Sequence, residues 1–402
     1  MFSSRIPGLG GSMPTLMKNV LGPLNRIETG ELTVVLPDGS ALRYVGTMPG
    51  PTARIHIKSK RLFSRLVLRG EIGFAEAYLD GDWDTNDLQS LLDLILANSS
   101  RLRGGLHTAR IGGAFEKIRH WYRSNSKRQA RKNIAYHYDL GNAFYRLWLD
   151  KSMTYSSGLF SGEGIGLAAS QARKYEAIAD GIGADENKHI LEIGCGWGGF
   201  AEHIAKTRGT RLTGLTISQE QYDFAKKRMF EAGLNDKVEI VLRDYRDETR
   251  QFDGIASIEM FEAVGEKHWP TYFDTLRNRL KPGAIASVQT ITIADDRFER
   301  YRHQVDFIQK YIFPGGMLPS PRVFSAQAAQ AGLAISGELA FGQSYSKTLR
   351  IWAAQFNAAW PAIHDMGFDT RFRRMWNYYL AACASSFRYE TTDVVQFTMA
   401  AK

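Results

Sequence analysis

Cysteine and long apolar runs are scarce in this chain of 402 residues. No stretch approaches the length of apolar sequence that spans a bilayer, and residues 90–97 are interrupted by Asp93. The amino terminus has a basic residue but no apolar core of signal-peptide length. Two cysteines, Cys195 and Cys383, provide no disulfide framework. These absences argue against a transmembrane or disulfide-stabilised protein, and we expect a cytoplasmic one.

Positive charge is abundant but local. The net charge is +9, and residues 101–132 contain ten Lys or Arg and a single acid, Glu116. The rest of the chain holds 41 basic and 41 acidic residues, so this segment carries the whole excess. Such clusters bind phosphate, on nucleic acid or on an anionic membrane, and Trp121 and Tyr122 suit a membrane interface. The alternative is a solvated linker.

The first part of the sequence predicts a small α+β domain, over residues 1–115. Residues 27–70 alternate as strands do, and Pro-Asp-Gly at 37–39 is typical of a hairpin turn. The predicted strands are 32–36, 41–45 and 53–57, and two helical pieces within 72–98 are separated at 80–82. Residues 116–132 form the predicted basic linker.

Residues 133–402 form the predicted second domain, where strands alternate with helices. This alternation predicts an α/β, Rossmann-like domain with a mostly parallel sheet and helices on both faces. The predicted strands are 189–193, 211–215, 238–242, 254–258 and 284–293, and the predicted helices are 167–182, 199–207, 218–232 and 267–279. Ser218 and Gln221 predict a capping box at the start of one helix.

Residues 191–199, Leu-Glu-Ile-Gly-Cys-Gly-Trp-Gly-Gly, carry the strongest functional signal. A strand followed by a glycine-rich turn and a helix brings backbone N–H groups close to a bound nucleotide cofactor. The same glycines satisfy the dinucleotide pattern G-x-G-x-x-G, but that pattern expects an acid at the end of the next strand. Here that strand is followed by Thr216-Ile217-Ser218, with no acid before Glu220. Glu192 therefore favours S-adenosylmethionine, whose ammonium group a carboxylate would hold; a purely structural turn is the alternative.

Seven motifs, in order, resemble the cyclopropane-fatty-acyl-phospholipid synthase family of S-adenosylmethionine-dependent lipid methyltransferases. They are Tyr136–Asn142 (YHYDLGN), Met153–Ser156 (MTYS), the glycine turn, Gly214–Gln221 (GLTISxxQ), Asp244–Asp247 (DYRD), Met260–Gly265 (MFExVG) and Tyr311–Pro319 (YIFPGGxLP). Residues 70–84 also resemble the amino-terminal domain of longer bacterial members. The resemblance therefore covers nearly the whole chain.

The resemblance implies transfer of a one-carbon unit from the sulfonium to the double bond of an acyl chain in a phospholipid. The cation left on the acyl chain needs aromatic side chains around it and a base within reach. In the family that base is a bound bicarbonate ion, and the matching positions here are Ser157, Glu262, Gln289, Ile291 and Tyr345. Ser157 and Gln289 replace the more common cysteine and histidine, and both still offer donors to an anion.

The resemblance also implies which residues bind the cofactor. Asp244 and Tyr245 are expected to face its adenine. The complete set of cofactor-binding candidates is Tyr155, Ser156, Glu192, Gly194, Gly196, Gly198, Thr216, Ile217, Gln221, Asp244, Tyr245 and Ser257.

These observations predict a two-domain enzyme, peripheral on the inner face of the membrane, that alkylates unsaturated phospholipid acyl chains. The first alternative is a methyl- or methylene-branched product without ring closure, favoured if Gln289 slows proton removal. A nucleic-acid methyltransferase is a weaker alternative, because the sequence has no base-reading module, zinc-ligand spacing or Asn-Pro-Pro-Tyr-type motif. A lipid-binding protein with a degenerate cofactor site is also weaker. The sequence leaves a homodimer open.

Overall fold

The computed structural model describes residues 15–102, 140–162 and 164–401, which divide into two compact units. The first unit holds 15–102 together with Thr370–Tyr378, and the second holds the remaining described residues. Residues 103–132 of the basic segment and residues 136–139 of the first motif lie outside the described residues. In the part of the chain that is described, no helix is long and apolar enough to cross a membrane.

The first unit is built on a four-stranded sheet with the order β2-β1-β3-β4. Strand β1 pairs antiparallel with β2 and parallel with β3, and its residues alternate between buried and partly exposed. The strands are β1 (Thr29–Val35), β2 (Ala41–Val45), β3 (Met48–Ile57) and β4 (Trp83–Thr85). The helices are α1 (Thr15–Leu21), α2 (Arg61–Leu79), α3 (Leu88–Ala97) and α4 (Ser99–Leu102). The three strands expected from the sequence are present. β4 follows the break expected at 80–82, and the second helix begins after it, at Leu88.

The second unit is built on a seven-stranded sheet with the order β10-β11-β9-β8-β5-β6-β7. Its strands are β5 (His189–Ile193), β6 (Arg211–Thr216), β7 (Val238–Leu242), β8 (Phe252–Ile258), β9 (Leu280–Ile293), β10 (Leu333–Ala340) and β11 (Thr392–Ala401). The five strands β5 to β9 pair in parallel, and β11 pairs antiparallel with β9 and β10. Because β5 neighbours both β6 and β8, the chain reverses its order at β5, where α/β sheets bind ligands.

The second unit also contains helices, and several of them contact its sheet. They are α5 (Asn142–Arg146), α6 (Leu167–Gly181), α7 (Gly199–Arg208), α8 (Gln219–Glu231), α9 (Trp269–Arg279), α10 (Asp295–Tyr301), α11 (Phe307–Tyr311), α12 (Pro321–Gln330), α13 (Gly342–Ala358), α14 (Trp360–Asp365) and α15 (Thr370–Arg388), of which Thr370–Tyr378 belongs to the first unit. Two apolar clusters divide the side chains of β5 between them: Leu191 and Ile193 join one, and Ile190 joins the other. The α/β class with a mostly parallel sheet is therefore confirmed.

Several bounds differ from the sequence-based expectation. Residues 61–70, expected to alternate as strands do, belong to helix α2, and the strand expected from residue 284 begins at Leu280. The helix expected from residue 267 begins at Trp269, after a short 3-10 turn at Glu266–His268. The expected capping box forms only in part, because Ser218 Oγ accepts from the backbone N–H of Gln221 while the Gln221 side chain turns to Thr216. Propensity locates such helix ends only to within a few residues.

Candidate functional site

The glycine turn joins β5 to α7 and leaves open space above one residue. Gly194, Gly196 and Gly198 all have positive φ angles, of 83°, 53° and 81°. A Cβ on Gly194 would lie 2.6 Å from Met260 Cγ, but a Cβ on Gly196 would meet no described atom within 4 Å. The backbone N–H of Gly194 donates to Leu215 O (3.0 Å), which fixes the turn against β6. A ligand would therefore meet bare backbone at Gly196.

Glu192 supplies a carboxylate at the end of β5, beside the turn. The residue is 2% exposed, and its Oε2 atom has no hydrogen-bond partner among the described residues. Burial raises the pKa of Glu192 to about 8, against the opposing charges of Lys174 and Arg228. A buried carboxylate without a partner is costly, and a ligand ammonium group would relieve that cost. Glu192 thus fits the amino group of S-adenosylmethionine.

The residues after β6 are partly engaged with one another. Thr216 Oγ1 donates to Gln221 Oε1 (2.8 Å) and accepts from the backbone N–H of Ser218 (3.2 Å). Thr216 and Gln221 are buried, whereas Ile217 between them is partly exposed. Ile217 is therefore the member of this group most available to a ligand.

The candidates after β7 and in β8 have structural contacts of their own. Both carboxylate oxygens of Asp244 accept from the Arg246 guanidinium, at 2.8 Å from Nε and 2.7 Å from Nη2. Tyr245 lies beside Arg246 and meets Tyr272 edge to face, with ring centroids 5.6 Å apart. Ser257 Oγ donates to Ile193 O (3.2 Å) and so ties β8 to β5. The Asp244 carboxylate is thus held in a fixed orientation beside the Tyr245 ring.

Tyr155 and Ser156 lie in the loop before α6 and contact buried partners. The Tyr155 hydroxyl lies 2.8 Å from that of Tyr379. Ser156 Oγ accepts from Lys174 Nζ (2.6 Å), and the sequence analysis missed this fully buried lysine on α6. Burial lowers the pKa of Lys174 to about 7, against the charges of Glu259, Asp150 and Glu192. Lys174 lies four residues before the buried Ile178 on α6, and this helical spacing was a signal in the sequence that Lys174 faces the interior.

Glu262 is one of two carboxylates beyond β8, and it belongs to a 3-10 turn, Phe261–Ala263. Its Oε1 atom accepts from the backbone N–H of Ile291 (2.5 Å) and from Thr290 Oγ1 (3.1 Å). Its Oε2 atom has no hydrogen-bond partner among the described residues. Burial, followed by the charge of Glu259, raises the pKa of Glu262 to about 8. At neutral pH this group therefore holds a proton.

Glu259, the second carboxylate, joins three of the predicted anion-binding residues. Its Oε1 atom accepts from the backbone N–H of Ser157 (2.8 Å) and from Gln289 Nε2 (2.7 Å). Its Oε2 atom accepts from the Tyr345 hydroxyl (2.6 Å). The Ser157 hydroxyl donates instead to Gly158 O (2.9 Å), so Ser157 contributes its backbone and not its side chain to this cluster. Sequence reasoning missed Glu259, although an acid directly after the apolar strand β8 was a signal for it.

Aromatic side chains surround the same region. The ring centroid of Tyr155 lies 5.3 Å from that of Trp352 and 6.4 Å from that of Phe313. The ring centroids of Tyr345 and Trp352 are 6.1 Å apart. Phe313 in turn lies 6.2 Å from Tyr379. Such rings present the electron-rich faces that stabilise a nearby cation.

The family of this chain follows from its similarity to known proteins. A family model described as mycolic acid cyclopropane synthetase matches residues 125–397. The chain belongs to this family. The resemblance stated from the sequence motifs is thereby confirmed.

Individual relatives match over most of their length. The chain is 37% identical to the cyclopropane-fatty-acyl-phospholipid synthase of Escherichia coli (strain K12), over 84% of this chain and 85% of the relative. It is also 37% identical to tuberculostearic acid methyltransferase UfaA1 of Mycobacterium tuberculosis, over 92% and 87% of the two chains. Among solved structures, the mycolic acid cyclopropane synthase CmaA1 complexed with SAH and CTAB matches with a TM-score of 0.63 and 26% identity. That match covers 67% of this chain and 97% of CmaA1.

Proposed function

We propose that this protein uses S-adenosylmethionine to convert the double bond of an unsaturated phospholipid acyl chain into a cyclopropane ring. The observation that carries the proposal is the placement of two carboxylates, Glu259 and Glu262, beyond the same sheet edge as the glycine turn. The family and the names of its relatives give the reaction class. The aromatic rings around Tyr155 suit a carbocation in an apolar chain.

The residues present fit the cofactor. Glu192 would hold the ammonium group of the cofactor. The open space at Gly196 would admit the part of the cofactor that lies against the protein backbone. When bound, S-adenosylmethionine supplies a methyl group activated by a sulfonium. An alkene is a weak nucleophile, so the main contribution of the protein is to place the double bond in line with that methyl group. Water has to be kept away from the resulting cation until a proton is removed.

The product distinguishes ring closure from the alternative outcome. Purified protein is incubated with vesicles of a monounsaturated phospholipid and with S-adenosylmethionine deuterated in its methyl group. We expect acyl chains that gain one carbon and two deuterons, because the third deuteron leaves as the ring closes. A chain that keeps all three deuterons would indicate methyl branching. A methylene branch would also keep two deuterons, so the two-deuteron product is examined by NMR, where a ring CD2 and an alkene =CD2 carbon resonate at different positions. No transfer to any unsaturated lipid would refute the proposal.

We further propose that the protein works in the cytoplasm at the anionic inner face of the membrane. The support is the excess of Lys and Arg between residues 101 and 132, with Trp121 and Tyr122 among them. Anionic headgroups attract such segments, and amphipathic rings settle at the headgroup level. A phospholipid acyl chain reaches the active site only from a membrane surface, so this attraction would bring enzyme and substrate together.

A further inference from the structure

The donors expected to hold a bicarbonate ion are already occupied by a side chain of the protein. Ser157, Gln289 and Tyr345 each direct an N–H or O–H to the Glu259 carboxylate, at 2.8, 2.7 and 2.6 Å. A carboxylate and a bicarbonate ion offer the same kind of acceptor oxygens. We propose that Glu259 is the built-in general base of this enzyme, standing where bicarbonate is expected. This inference rests on the proposed function.

The backbone at Glu259 is held in an unusual conformation. Its φ angle is 49°, in the left-handed region that residues other than glycine rarely adopt. The residue directly follows β8, and its backbone N–H donates to Gln289 O (2.8 Å), which continues the pairing of β8 with β9. Such conformations cost on the order of 1 kcal/mol and persist where the surroundings fix them. Here the conformation aims the carboxylate at the three donors.

The amide of Gln289 is oriented toward Glu259 by a second buried amide. Gln396 Nε2, on the neighbouring strand β11, donates to Gln289 Oε1 (3.1 Å). With its oxygen engaged, Gln289 has only its NH₂ group to present to Glu259. Gln289 therefore fits a fixed carboxylate as well as it would fit a free anion, and it need not itself accept a proton.

Several groups around Glu259 favour its ionised form and act against the effect of burial. The positive charge of Lys174 and the hydrogen bonds from Tyr345, Ser157 and Gln289 counteract the burial that raises the pKa of Glu259. Neighbouring Glu262 has its pKa raised to about 8 and holds a proton at neutral pH. Glu259 accepts three hydrogen bonds and has Lys174 nearby, whereas Glu262 accepts two, so Glu259 is the better placed of the two carboxyls to act as the base. A bicarbonate ion beside them would add like charge after the donors are taken.

Glu259 is the residue of its cluster that is not fully enclosed. Ser157 and Gln289 are fully buried, whereas Glu259 is partly exposed. After the alkene bonds to the transferred methyl carbon, the acyl chain carries a positive charge. Glu259 then takes one proton from that carbon, and the C–H electron pair forms the third bond of the ring. The protonated Glu259 later returns its proton to water, and no further reagent is consumed.

The test measures methyl transfer to unsaturated vesicles in carbonate-free buffer and with added sodium bicarbonate. We expect the wild-type rate to be unchanged within about twofold by bicarbonate. Glu259→Gln should lose about two to four orders of magnitude in turnover, because an amide accepts no proton. Glu259→Gly suits the positive φ, removes the side chain and opens the donor set, so bicarbonate should restore its rate at least about tenfold. Glu338→Gln, a change at an exposed glutamate, is the matched control.

Two outcomes would overturn the inference while leaving the proposed function intact. One is a wild-type rate that collapses when carbonate is removed, and the other is a Glu259→Gln variant that keeps the wild-type rate. Affinity for S-adenosylhomocysteine is measured for every variant and should match the wild type, and a cooperative thermal transition shows that each variant is folded. A damaged fold would change the affinity or abolish the transition, whereas a missing base would do neither. A wild type that transfers no carbon under either condition would refute the proposed function itself.

Discussion

At the scale of single residues, the candidate cofactor site depends on open space at the glycine turn and on a carboxylate oxygen without a hydrogen-bond partner among the described residues at the end of β5. Gly196 has open space where a Cβ would be, and Glu192 has a buried oxygen without a partner among the described residues. The sequence pointed to both, because glycines and an acid at a strand end form a recognisable pattern. It missed Glu259, whose importance comes from donors that are 30 to 102 residues away in the chain.

We predict that Gly196→Val lowers the affinity for S-adenosylhomocysteine at least about a hundredfold, or about 2.7 kcal/mol. The branched side chain would fill the space at the turn that a ligand needs. Gly233→Val is the matched control, because Gly233 also has a positive φ (67°) and open space around it but follows α8, away from the turn. Isothermal titration calorimetry measures both. Equal losses in the two variants would attribute the effect to backbone strain and not to the ligand.

We predict that binding of S-adenosylhomocysteine at pH 6.5 releases protons from Glu192. The pKa of Glu192 is raised to about 8 in the free protein, so its carboxyl is mostly protonated at pH 6.5. A ligand ammonium group favours the charged form and lowers that pKa, which expels the proton, and the release fades above about pH 8. Calorimetry in two buffers of different ionisation enthalpy measures the release. Glu192→Gln should bind more weakly and lose this release; an unchanged release would contradict the assignment.

At the scale of elements, local sequence patterns predicted the positions of most strands, but pairing between distant segments decided which strands are neighbours in the sheet. The strands 41–45, 189–193 and 238–242 were predicted at their observed bounds. No sequence pattern predicted β10 and β11, which pair antiparallel at the edge beyond β9. Gln396 on β11 orients Gln289 on β9, so this unpredicted pairing also shapes the candidate site. Strand pairing joins distant segments, and sequence periodicity carries no information about such partners.

Arg374 lies in the part of α15 that belongs to the first unit, and we predict that its contacts stabilise that unit. Arg374 donates to Tyr78 O (2.5 Å) and Trp83 O (2.9 Å), and its guanidinium lies 3.9 Å from the centre of the Tyr78 ring. Arg374→Ala leaves two carbonyl groups without that donor and should lower the free energy of unfolding by about 2 kcal/mol. Urea denaturation measures the change. Arg54→Ala, at an exposed strand position, is the control, and equal effects would contradict the prediction.

At the scale of the whole molecule, the uneven charge predicts where the enzyme works. Residues 101–132 carry the whole positive excess of the chain, and most of them lie outside the described residues. Each Lys or Arg near an anionic surface contributes roughly 1 kcal/mol of attraction, which salt screens.

We predict that neutralising Lys127, Arg128, Arg131 and Lys132 to Gln weakens binding to anionic phospholipid vesicles and slows methyl transfer on them. Affinity for S-adenosylhomocysteine should not change, because the cofactor candidates belong to other parts of the chain. Vesicle sedimentation at low and high salt gives the binding. If the wild type bound vesicles equally well at both salt concentrations, the basic segment would be only a linker. Binding to duplex DNA but not to vesicles would favour a nucleic-acid partner.

The sequence by itself determined the α/β class, the positions along the chain of the first five strands of the second unit, the glycine turn and the family. These features depend on local patterns, since periodicity, turn residues and contiguous motifs can be recognised within short stretches of sequence. Only the tertiary structure decided that the Ser157 hydroxyl turns to its own backbone, that Lys174 is buried against Ser156, and that Glu259 meets Tyr345. Hydrogen bonds between side chains depend on the distances and burial that folding creates, and no local pattern encodes them.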